Sequence, residues 1–536
     1  MPRLDSASSA LDIPLSRSEL ATLGWLPRVL LALAGGLLMG LPWFDQAMYW
    51  TAWFGSVPLL FALQGVRWSS ALLLGSLTGV AYFSIASYWI IQFLINLRDF
   101  SWPIAALLSS VFWCFAGFSI GLSCALFRWL STRLPTWDLL SFPLCMVVMM
   151  SVYPLLFGAY YAEPQAQFLM ALQGVSLFGV QALDMLILMT GVLVFQFITG
   201  QGRGQRFGQL LALAVLAAWF IYGLISLHHW DDLMGGWDVR RVGLVQPDDA
   251  VTLAVPEPPA GFSREYPPEM AAVERLAQAG AELVIWPEAR YKGYFDNYSV
   301  RLSYAEKLRA SGVSLILHDA ERAWEGSQKL HFNALAYLDG DGEQRGVYRK
   351  MRLMPFGEYL PTFFHLPGIG WLTRTFFGEF LTPLEPGQSH EIFNVNGMRI
   401  VPKICYETAF PAFIAHSIGQ DAAGKVLLFV SQDNWFGETT QPFQHSAMSV
   451  VRGVENRVPM IHLINNGPSV VAAPNGRIIA ETDAFTPAEL LAAIPHSVSA
   501  GGSFYSRYPW LLSAALYVGL ASLVLMALGR RQVPKR

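Results

Sequence analysis

The sequence predicts an α-helical membrane bundle of about eight transmembrane helices that carries one extracytoplasmic α/β domain. Of the 536 residues, 53% are hydrophobic and only 14% are charged, which is typical of an integral membrane protein. The apolar stretches lie before residue 230 and after residue 508, and a polar block separates them. The net charge of −3 gives no reason to expect a nucleic acid as a partner.

Eight apolar stretches are each long enough, or nearly so, to cross about 30 Å of hydrocarbon. They run over 25–42, 48–65, 70–96, 103–127, 138–158, 170–198, 208–227 and 509–529. This pattern divides the chain into five parts. We expect a cytoplasmic tail over 1–24, a seven-helix domain over 25–230, a polar domain over 235–505, a last helix over 509–529 and a second cytoplasmic tail over 530–536.

The basic residues of the short loops fall on one side of the membrane. If the N-terminus is cytoplasmic, the inside loops carry Arg67, Arg128, Arg133, Arg203 and Arg206. Such a bias marks the cytoplasmic side, so the polar domain should lie outside, in the periplasm of a bacterium, with the helices in the inner membrane. The first 24 residues lack the basic start and the small-residue cleavage site of a secretory signal, so we expect them to stay attached.

Within the polar block, short β-rich runs alternate with helical ones, as in an α/β domain. The strand candidates are 241–246, 282–286, 314–318, 333–338, 399–405, 426–431, 460–464 and 469–473. Helical patterns fill 267–280, 299–311 and 442–457. Active residues in such folds collect where strands end and loops begin.

Three polar motifs stand at such strand ends. Cys405 is the only cysteine of the polar block and opens Cys-Tyr-Glu, directly after a predicted strand. A thiol placed there beside a carboxylate is suited to be a nucleophile, although most free cysteines are simply small buried residues. The other motifs are Trp-Pro-Glu, which ends at Glu288, and Tyr-Arg-Lys, which ends at Lys350. Each is weak alone, and their order of acid, lysine and cysteine is much more specific.

With these motifs, the chain resembles the apolipoprotein N-acyltransferases, membrane-anchored members of the nitrilase or carbon-nitrogen hydrolase superfamily. Sites of that superfamily contain a Glu-Lys-Cys triad, which maps here onto Glu288, Lys350 and Cys405. Further matches are Pro-Phe-Gly-Glu-Tyr over 355–359, Asp-Asn-Trp-Phe-Gly over 433–437, Gln-His over 444–445 and Asn-Asn-Gly over 465–467. The resemblance covers nearly the whole chain and implies a four-layer α-β-β-α sandwich for the polar domain.

The resemblance also implies a reaction. A fatty acyl chain would move from a phospholipid, through a thioester on Cys405, to the α-amino group of the diacylglyceryl-cysteine of an apolipoprotein. Glu288 would be the proton acceptor and Lys350 would hold the oxyanion. The expected supporting or substrate-binding residues are Glu358, Tyr406, Glu407, Trp435, Phe356, Tyr359 and Asn466. For Glu358 and Glu407, hydrogen bonding that only closes a loop has equal weight.

The expected partners follow from that reaction: a phospholipid donor, a diacylated lipoprotein acceptor and the lipid bilayer. We expect no cofactor, and no metal because the ten histidines show no ligand spacing. We expect a monomer. The aromatic stretch over 356–380 suggests a lid that dips into the membrane interface, with packing on the domain's own core as the alternative.

Two departures from the family pattern keep other functions open. Over 247–259 a usual aromatic has no counterpart, and over 289–292 Arg290 and Lys292 add two positive charges. These departures favour an alternative, a membrane-bound amidase or acyltransferase of the same superfamily with a different substrate. A non-catalytic scaffold is a third hypothesis, which the retained triad disfavours. Asp184, inside an apolar stretch, is either functional or an acid capped by neighbouring polar groups.

Overall fold

The computed structural model describes residues 23–200, 206–252, 257–288, 291–359, 370 and 384–530. Within these residues, ten α-helices precede the polar domain. They are α1 (Trp25–Phe44), α2 (Ala52–Ala62), α3 (Trp68–Ala86), α4 (Ile90–Arg98), α5 (Trp102–Ser131), α6 (Asp138–Val152), α7 (Leu169–Leu172), α8 (Val175–Phe178), α9 (Val180–Thr199) and α10 (Arg206–Met234).

Within the described residues, seven helices are long and apolar enough to cross a membrane. Six of them are α1, α3, α5, α6 with the short 3₁₀ turn before it, α9 and α10, and the seventh is the C-terminal helix over Leu511–Gly529. The sequence predicted eight crossings. The difference is the stretch over 48–65, which forms a 3₁₀ turn over Gln46–Thr51 followed by the 11-residue α2.

This short helix nevertheless runs antiparallel to α1 along most of its length. The Arg28 guanidinium donates to the carbonyl oxygen of Ala62 at 2.7 Å, and the Thr51 hydroxyl donates to the carbonyl oxygen of Leu38 at 2.9 Å. The turn and α2 therefore return the chain from the end of α1 to its beginning. A crossing count of eight stays a prediction that this return path supports.

Two other predicted spans are divided. The stretch over 70–96 becomes α3 and the separate α4, and the stretch over 170–198 becomes α7, α8 and α9. Small residues hold the bundle together, since a Cβ atom added to Gly79 of α3 would lie 2.3 Å from the Gly117 carbonyl oxygen of α5. Such close backbone contact is how membrane helices pack without a hydrophobic driving force.

The polar domain contains two six-stranded sheets with orders β12-β1-β2-β3-β4-β5 and β11-β10-β9-β8-β7-β6. The strands are β1 (Asp238–Gln246), β2 (Leu283–Ile285), β3 (Ser314–Glu325), β4 (Gln328–Leu338), β5 (Gln344–Arg349), β6 (Phe393–Val395), β7 (Met398–Ile404), β8 (Lys425–Ser431), β9 (Met460–Ile464), β10 (Val470–Ala472), β11 (Ile478–Glu481) and β12 (Ala488–His496). The described helices of this domain are α11 (Pro268–Gln278), α12 (Tyr298–Ser311), α13 (Pro411–Ile418), α14 (Gln441–Asn456) and α15 (Phe504–Arg507), and the C-terminal membrane helix is α16 (Leu511–Gly529).

Apolar residues from both sheets form one buried core between them, so the sheets pack face to face. The helices α11 and α12 cover the outer face of the first sheet, and α13 and α14 cover the second. The expected α-β-β-α sandwich is therefore confirmed. Strands β1, β2 and β3 are parallel, as are β7, β8 and β9.

The second sheet's helical layer also packs against the membrane bundle. One hydrophobic core joins Leu183 of α9 and Trp219 of α10 to Val450 and Val454 of α14. Asp184, beside Leu183, is buried and accepts the main-chain N–H of Ala162 at 2.8 Å. This contact matches the capped-acid interpretation of Asp184.

Candidate active site

Cys405 lies at the point where β7 ends and a 3₁₀ turn over Cys405–Ala409 begins. Its φ angle is 48°, a left-handed conformation that is uncommon for a residue with a side chain and occurs preferentially at functional sites. Its side chain is partly buried. The other three cysteines, Cys114, Cys124 and Cys145, lie on α5 and α6 within the membrane bundle.

Lys350 follows β5 and lies between two carboxylates. Its Nζ atom is 3.0 Å from Oε1 of Glu358 and 3.8 Å from Oε1 of Glu288. The lysine is only 1% exposed. A single amide connects the two acids, because Asn333 Nδ2 donates to Glu288 at 2.7 Å and to Glu358 at 2.8 Å. The structure thus brings the predicted acid and lysine together and adds an asparagine that the sequence pattern did not indicate.

The charges of this group favour an ionised acid and a protonated lysine. Burial alone raises the pKa of Glu288, but Lys350, with smaller contributions from His318, Asn333 and the Gln432 N–H, brings that pKa below its usual value. Burial likewise lowers the pKa of Lys350, and Glu358 together with Glu288 outweighs it and holds the pKa above its usual value. Burial and the charge of Glu288 raise the pKa of the Cys405 thiol, against the opposing effect of Lys350. Before substrate binds, these directions favour a neutral Cys405 thiol, an ionised Glu288 and a protonated Lys350.

Glu407 is fully buried and hydrogen-bonds to the segments that carry the lysine and the cysteine. Its carboxylate accepts the Tyr348 hydroxyl at 2.8 Å, the N–H of Met351 at 2.8 Å and the N–H of Ile404 at 2.8 Å. Those donors flank Lys350 on one side and precede Cys405 on the other. The loop-closing role weighed for Glu407 is therefore the one that its contacts support.

Glu358 contacts both the lysine and the loop that follows it, so its catalytic role stays a prediction beside its loop-closing one. One carboxylate oxygen pairs with Lys350, and the other accepts the main-chain N–H of Met354 at 2.7 Å. Phe356 and Tyr359 flank it in a tight turn, where the N–H of Phe356 donates to the Tyr359 carbonyl oxygen at 2.8 Å. The rest of the proposed aromatic lid, over 360–369 and 371–380, lies outside the described residues.

The remaining predicted residues occupy different positions around the triad. The Tyr406 hydroxyl donates to the Leu156 carbonyl oxygen of the membrane bundle. The carbonyl oxygen of Trp435 accepts Asn96 Nδ2 of α4 at 3.1 Å. Both residues therefore attach the site to the bundle. Asn466 is buried in the loop after β9, and the described hydrogen bonds do not join its side chain to the triad.

An open pocket, with about 800 Å³ of space that includes its mouth to solvent, extends from Cys405 into the gap between the polar domain and the bundle. Its lining is largely apolar and comes from both parts of the chain. The bundle contributes Trp43, Tyr82, Phe83, Ala86, Ser87, Trp89, Phe112, Phe157, Gly158 and Ala159, and the polar domain contributes Met354, Cys405, Tyr406, Ala409, Phe436, Gln441, Gln444, His445 and Met448. The sequence did not reveal these bundle residues, because membrane helices are apolar whether or not they line a pocket.

Gln444 joins the two parts of this cavity. Its Nε2 atom donates to the Trp43 carbonyl oxygen at 2.6 Å and to the Ala86 carbonyl oxygen at 2.9 Å. Its Oε1 atom accepts the Trp89 indole N–H at 3.1 Å. One side chain of α14 thereby satisfies carbonyl groups at the C-terminal ends of both α1 and α3.

The two segments that depart from the family pattern, 247–259 and 289–292, differ in how close they lie to the loops around the active site. The Asp249 carbonyl oxygen accepts the side-chain amides of Asn434 at 2.5 Å and Asn465 at 2.9 Å, so this segment borders the loops after β8 and β9. Lys292, in contrast, pairs with the buried carboxylate of Glu269 inside the domain. Its charge is neutralised there. Arg290 lies outside the described residues.

Among the described residues, no group of three or more His, Cys, Asp or Glu side chains is arranged to hold a metal ion. The groups gathered at the site are the Cys405 thiol, the Glu288 and Glu358 carboxylates and the Lys350 ammonium. This arrangement defines a cysteine-dependent enzyme of the carbon-nitrogen hydrolase class joined to a membrane bundle.

Comparisons with protein families agree with that class. The carbon-nitrogen hydrolase model matches residues 263–500, and the model of the apolipoprotein N-acyltransferase N-terminal domain matches residues 35–193. The chain belongs to the apolipoprotein N-acyltransferase family.

Relatives with the same domain combination align over most of this chain. Apolipoprotein N-acyltransferase of Geobacter metallireducens is 26% identical over 94% of this chain and 96% of its own length. The enzyme of that name from Pseudomonas paraeruginosa is 28% identical over 96% of this chain and 98% of its own length. Among solved structures, a mutant of the Nesterenkonia AN1 amidase from the nitrilase superfamily is 18% identical, with a TM-score of 0.34, over 48% of this chain and 90% of its own.

Proposed function

We propose that the protein transfers a fatty acyl chain from a membrane phospholipid to the α-amino group of a diacylated lipoprotein, through a thioester on Cys405. The observation that carries this proposal is the apolar cavity that begins at Cys405 and is walled by both the bundle and the polar domain. An acyl chain gains free energy by leaving water for such a cavity. A small amide would leave most of it unfilled.

In the first half-reaction, Glu288 accepts the thiol proton and the Cys405 thiolate attacks the ester carbonyl carbon of the phospholipid. The carbonyl oxygen becomes an oxyanion that Lys350 stabilises. The C–O bond then breaks, and the leaving alkoxide takes the proton from Glu288 and departs as lysophospholipid. A thioester remains on Cys405.

In the second half-reaction, the neutral α-amino group of the lipoprotein attacks the thioester carbonyl carbon. Glu288 takes a proton from the amine, Lys350 again stabilises the oxyanion, and the C–S bond breaks. The proton returns to the departing thiolate, which regenerates Cys405 and releases an N-acylated lipoprotein. Phospholipid and lipoprotein thus bind in turn to one site, as in other covalent two-step mechanisms.

The alternative with a different substrate has less support. The comparisons with relatives do not favour it, and the pairing of Lys292 with Glu269 removes one of the two extra charges that motivated it. The segment near Asp249 remains the departure closest to the site. We therefore place any difference in acceptor preference there.

The proposal is tested by incubating the purified protein with a phospholipid of known acyl chains and measuring the mass of the Cys405 peptide. We expect one acyl adduct in the wild type, its disappearance on adding a diacylated peptide, and no adduct in Cys405→Ala. Cys114→Ala removes an exposed thiol of α5 and serves as the control that keeps the adduct. Full turnover in Cys405→Ala would refute the mechanism.

A further inference from the structure

A buried histidine and aspartate lie directly behind the turn that carries Cys405. His445 Nδ1 is 2.8 Å from Asp433 Oδ2, and His445 Nε2 is 3.2 Å from the carbonyl oxygen of Cys405. Asp433 is fully buried and His445 is 5% exposed. Asp433 follows β8 and His445 lies in the second turn of α14, so two different elements deliver this pair to the nucleophile.

The two partners of His445 fix its protonation state. A carboxylate and a main-chain carbonyl only accept hydrogen bonds, whereas a neutral imidazole has a single N–H. Since both ring nitrogens of His445 face acceptors, both must carry a proton, and the ring is an imidazolium. Burial alone lowers the pKa of His445, but the charge and hydrogen bond of Asp433, the Cys405 carbonyl oxygen and the charge of Glu288 together raise that pKa above its usual value.

A neighbouring histidine shows the opposite pattern. His462 lies with its ring 4.5 Å from that of His445 and contacts Ser449 and Ser431 through its two nitrogens. The Ser449 hydroxyl gives its one proton to the Ser446 carbonyl oxygen, so it accepts from His462 Nδ1. The Ser431 hydroxyl can then donate to Nε2, and His462 is satisfied as a neutral ring. The positive charge of this histidine pair therefore belongs to His445.

We infer that His445, held as an imidazolium by Asp433, is a positioning residue that fixes the left-handed backbone of Cys405 and favours ionisation of its thiol. This inference rests on Cys405 being the nucleophile of the proposed function. The hydrogen bond to the Cys405 carbonyl oxygen holds a backbone conformation that a side-chain-bearing residue would otherwise leave. The imidazolium stands between that carbonyl and Asp433, so its positive side faces the cysteine.

Without a further positive charge, the groups around Cys405 disfavour ionisation of its thiol. Lys350, whose charge acts in favour of the Cys405 thiolate, is already paired with Glu358 and also lies near Glu288, so these three groups carry a net charge of one negative unit. The charge of Asp433 also acts against the thiolate. A negative surrounding opposes formation of a thiolate. The groups that face His445 are Asp433, the Cys405 carbonyl oxygen and His462, with Glu288 acting on it at longer range.

The test is the pH dependence of Cys405 alkylation by iodoacetamide in the full-length protein, followed by mass spectrometry of the Cys405 peptide. His445→Gln keeps an amide donor but removes the charge, and Asp433→Asn removes the anion that holds it. In both variants we expect the alkylation midpoint to rise by about one pH unit, which slows alkylation at neutral pH about 10-fold. His416→Gln, which changes an exposed histidine of α13, should keep the wild-type profile.

Two outcomes would overturn the inference. Unchanged midpoints in both variants would leave His445 with a purely structural role, and a shift in His445→Gln without one in Asp433→Asn would refute the charged pair. Alkylation measures the thiol without any lipid, so it separates this inference from the proposed function. A shifted midpoint in a protein that forms no acyl adduct would refute the acyl transfer and keep the His445 assignment.

Discussion

Lys350 is the residue whose surroundings most constrain the chemistry. It is buried between Glu288 and Glu358, and Asn333 fixes the distance between those acids through its two hydrogen bonds. The ammonium group is therefore charged and immobile before substrate binds. Such preorganised charge is what stabilises an oxyanion without reorganisation during the reaction.

We predict that Glu288→Gln and Lys350→Met each slow acylation of Cys405 by about 100-fold or more, because one removes the proton acceptor and the other the oxyanion's cation. The double variant should lose far less than the product of the two losses, since the residues act as a unit. The measurement is single-turnover formation of the acyl adduct. Lys307→Met, which breaks a half-exposed pair with Glu274 on the domain's outer helices, is the control that should retain the rate. Near-normal acylation with only a slowed transfer step would refute both roles.

The sequence could indicate Glu288, Lys350 and Cys405 because each stands in a short contiguous motif at a strand end. It could not indicate Asn333, which reaches the acids because β4 pairs with β3 and places Asn333 opposite Ala320. Nor could it indicate the charge on His445. That charge follows from two acceptors that are 12 and 40 residues away along the chain.

At the scale of secondary structure, the eight predicted strands are all present, and four others, β5, β6, β11 and β12, were not anticipated. Their sequences explain why. β6 has three residues, and β12 is a long strand with irregular burial that includes Pro495 and several alanines, so neither shows clear apolar alternation. β12 is recognisable only by its antiparallel pairing with β1.

Helix α14 is joined to the bundle by a buried ion pair of its Arg452. The guanidinium lies 2.8 Å from Glu163, in the segment between α6 and α7, and 3.1 Å from Glu455 of its own helix. Burial raises the pKa of Glu163 to about 8, although Arg452 opposes it. Arg452→Gln should lower the free energy of unfolding by about 3–5 kcal/mol, because the buried carboxyl groups of Glu163 and Glu455 lose their shared hydrogen-bonding cation.

The measurement is thermal unfolding in detergent followed by tryptophan fluorescence. Arg477→Gln is the matched control, since Arg477 also joins the polar domain to the bundle, through Asp231 of α10 at 2.6 Å, but its side chain is 50% exposed. That pair should contribute only about 0–1 kcal/mol. Equal destabilisation by the two substitutions would show that burial of the Arg452 cluster does not decide its contribution.

At the scale of the whole molecule, composition and hydropathy were sufficient to predict a membrane bundle and one α/β domain. They were not sufficient for the bundle's internal geometry. Hydropathy measures only how apolar a stretch is, so it cannot show that the stretch over 48–65 begins with a 3₁₀ turn, nor which bundle residues face the polar domain.

We predict that the polar domain lies outside the cytoplasm and that both tails lie inside, from the arginine bias of the short loops and the return path of α2 along α1. Reporter fusions near residue 260 and at the C-terminus should show opposite sidedness. A fusion after residue 65 should match the C-terminal one, and it tests α2 directly. Cytoplasmic activity of the fusion near residue 260 would refute the topology.

The contacts of Gln444 bear on how the protein is assembled during synthesis. The helices α1 and α3 leave the ribosome about 400 residues before α14, yet Gln444 of α14 donates to carbonyl groups at their ends, on Trp43 and Ala86. The Trp89 indole also donates to the Ala86 carbonyl oxygen, so Trp43 depends more on Gln444 than Ala86 does. Buried carbonyl groups without donors are costly, so we expect the bundle to insert first in an open form in which water or lipid headgroups hydrogen-bond to these helix ends. Docking of the finished polar domain then replaces that solvent and closes the cavity in the same event. The newly made bundle is thus the docking surface for the C-terminal half of its own chain. The pocket at Cys405 forms only after the two parts have docked, because both line it.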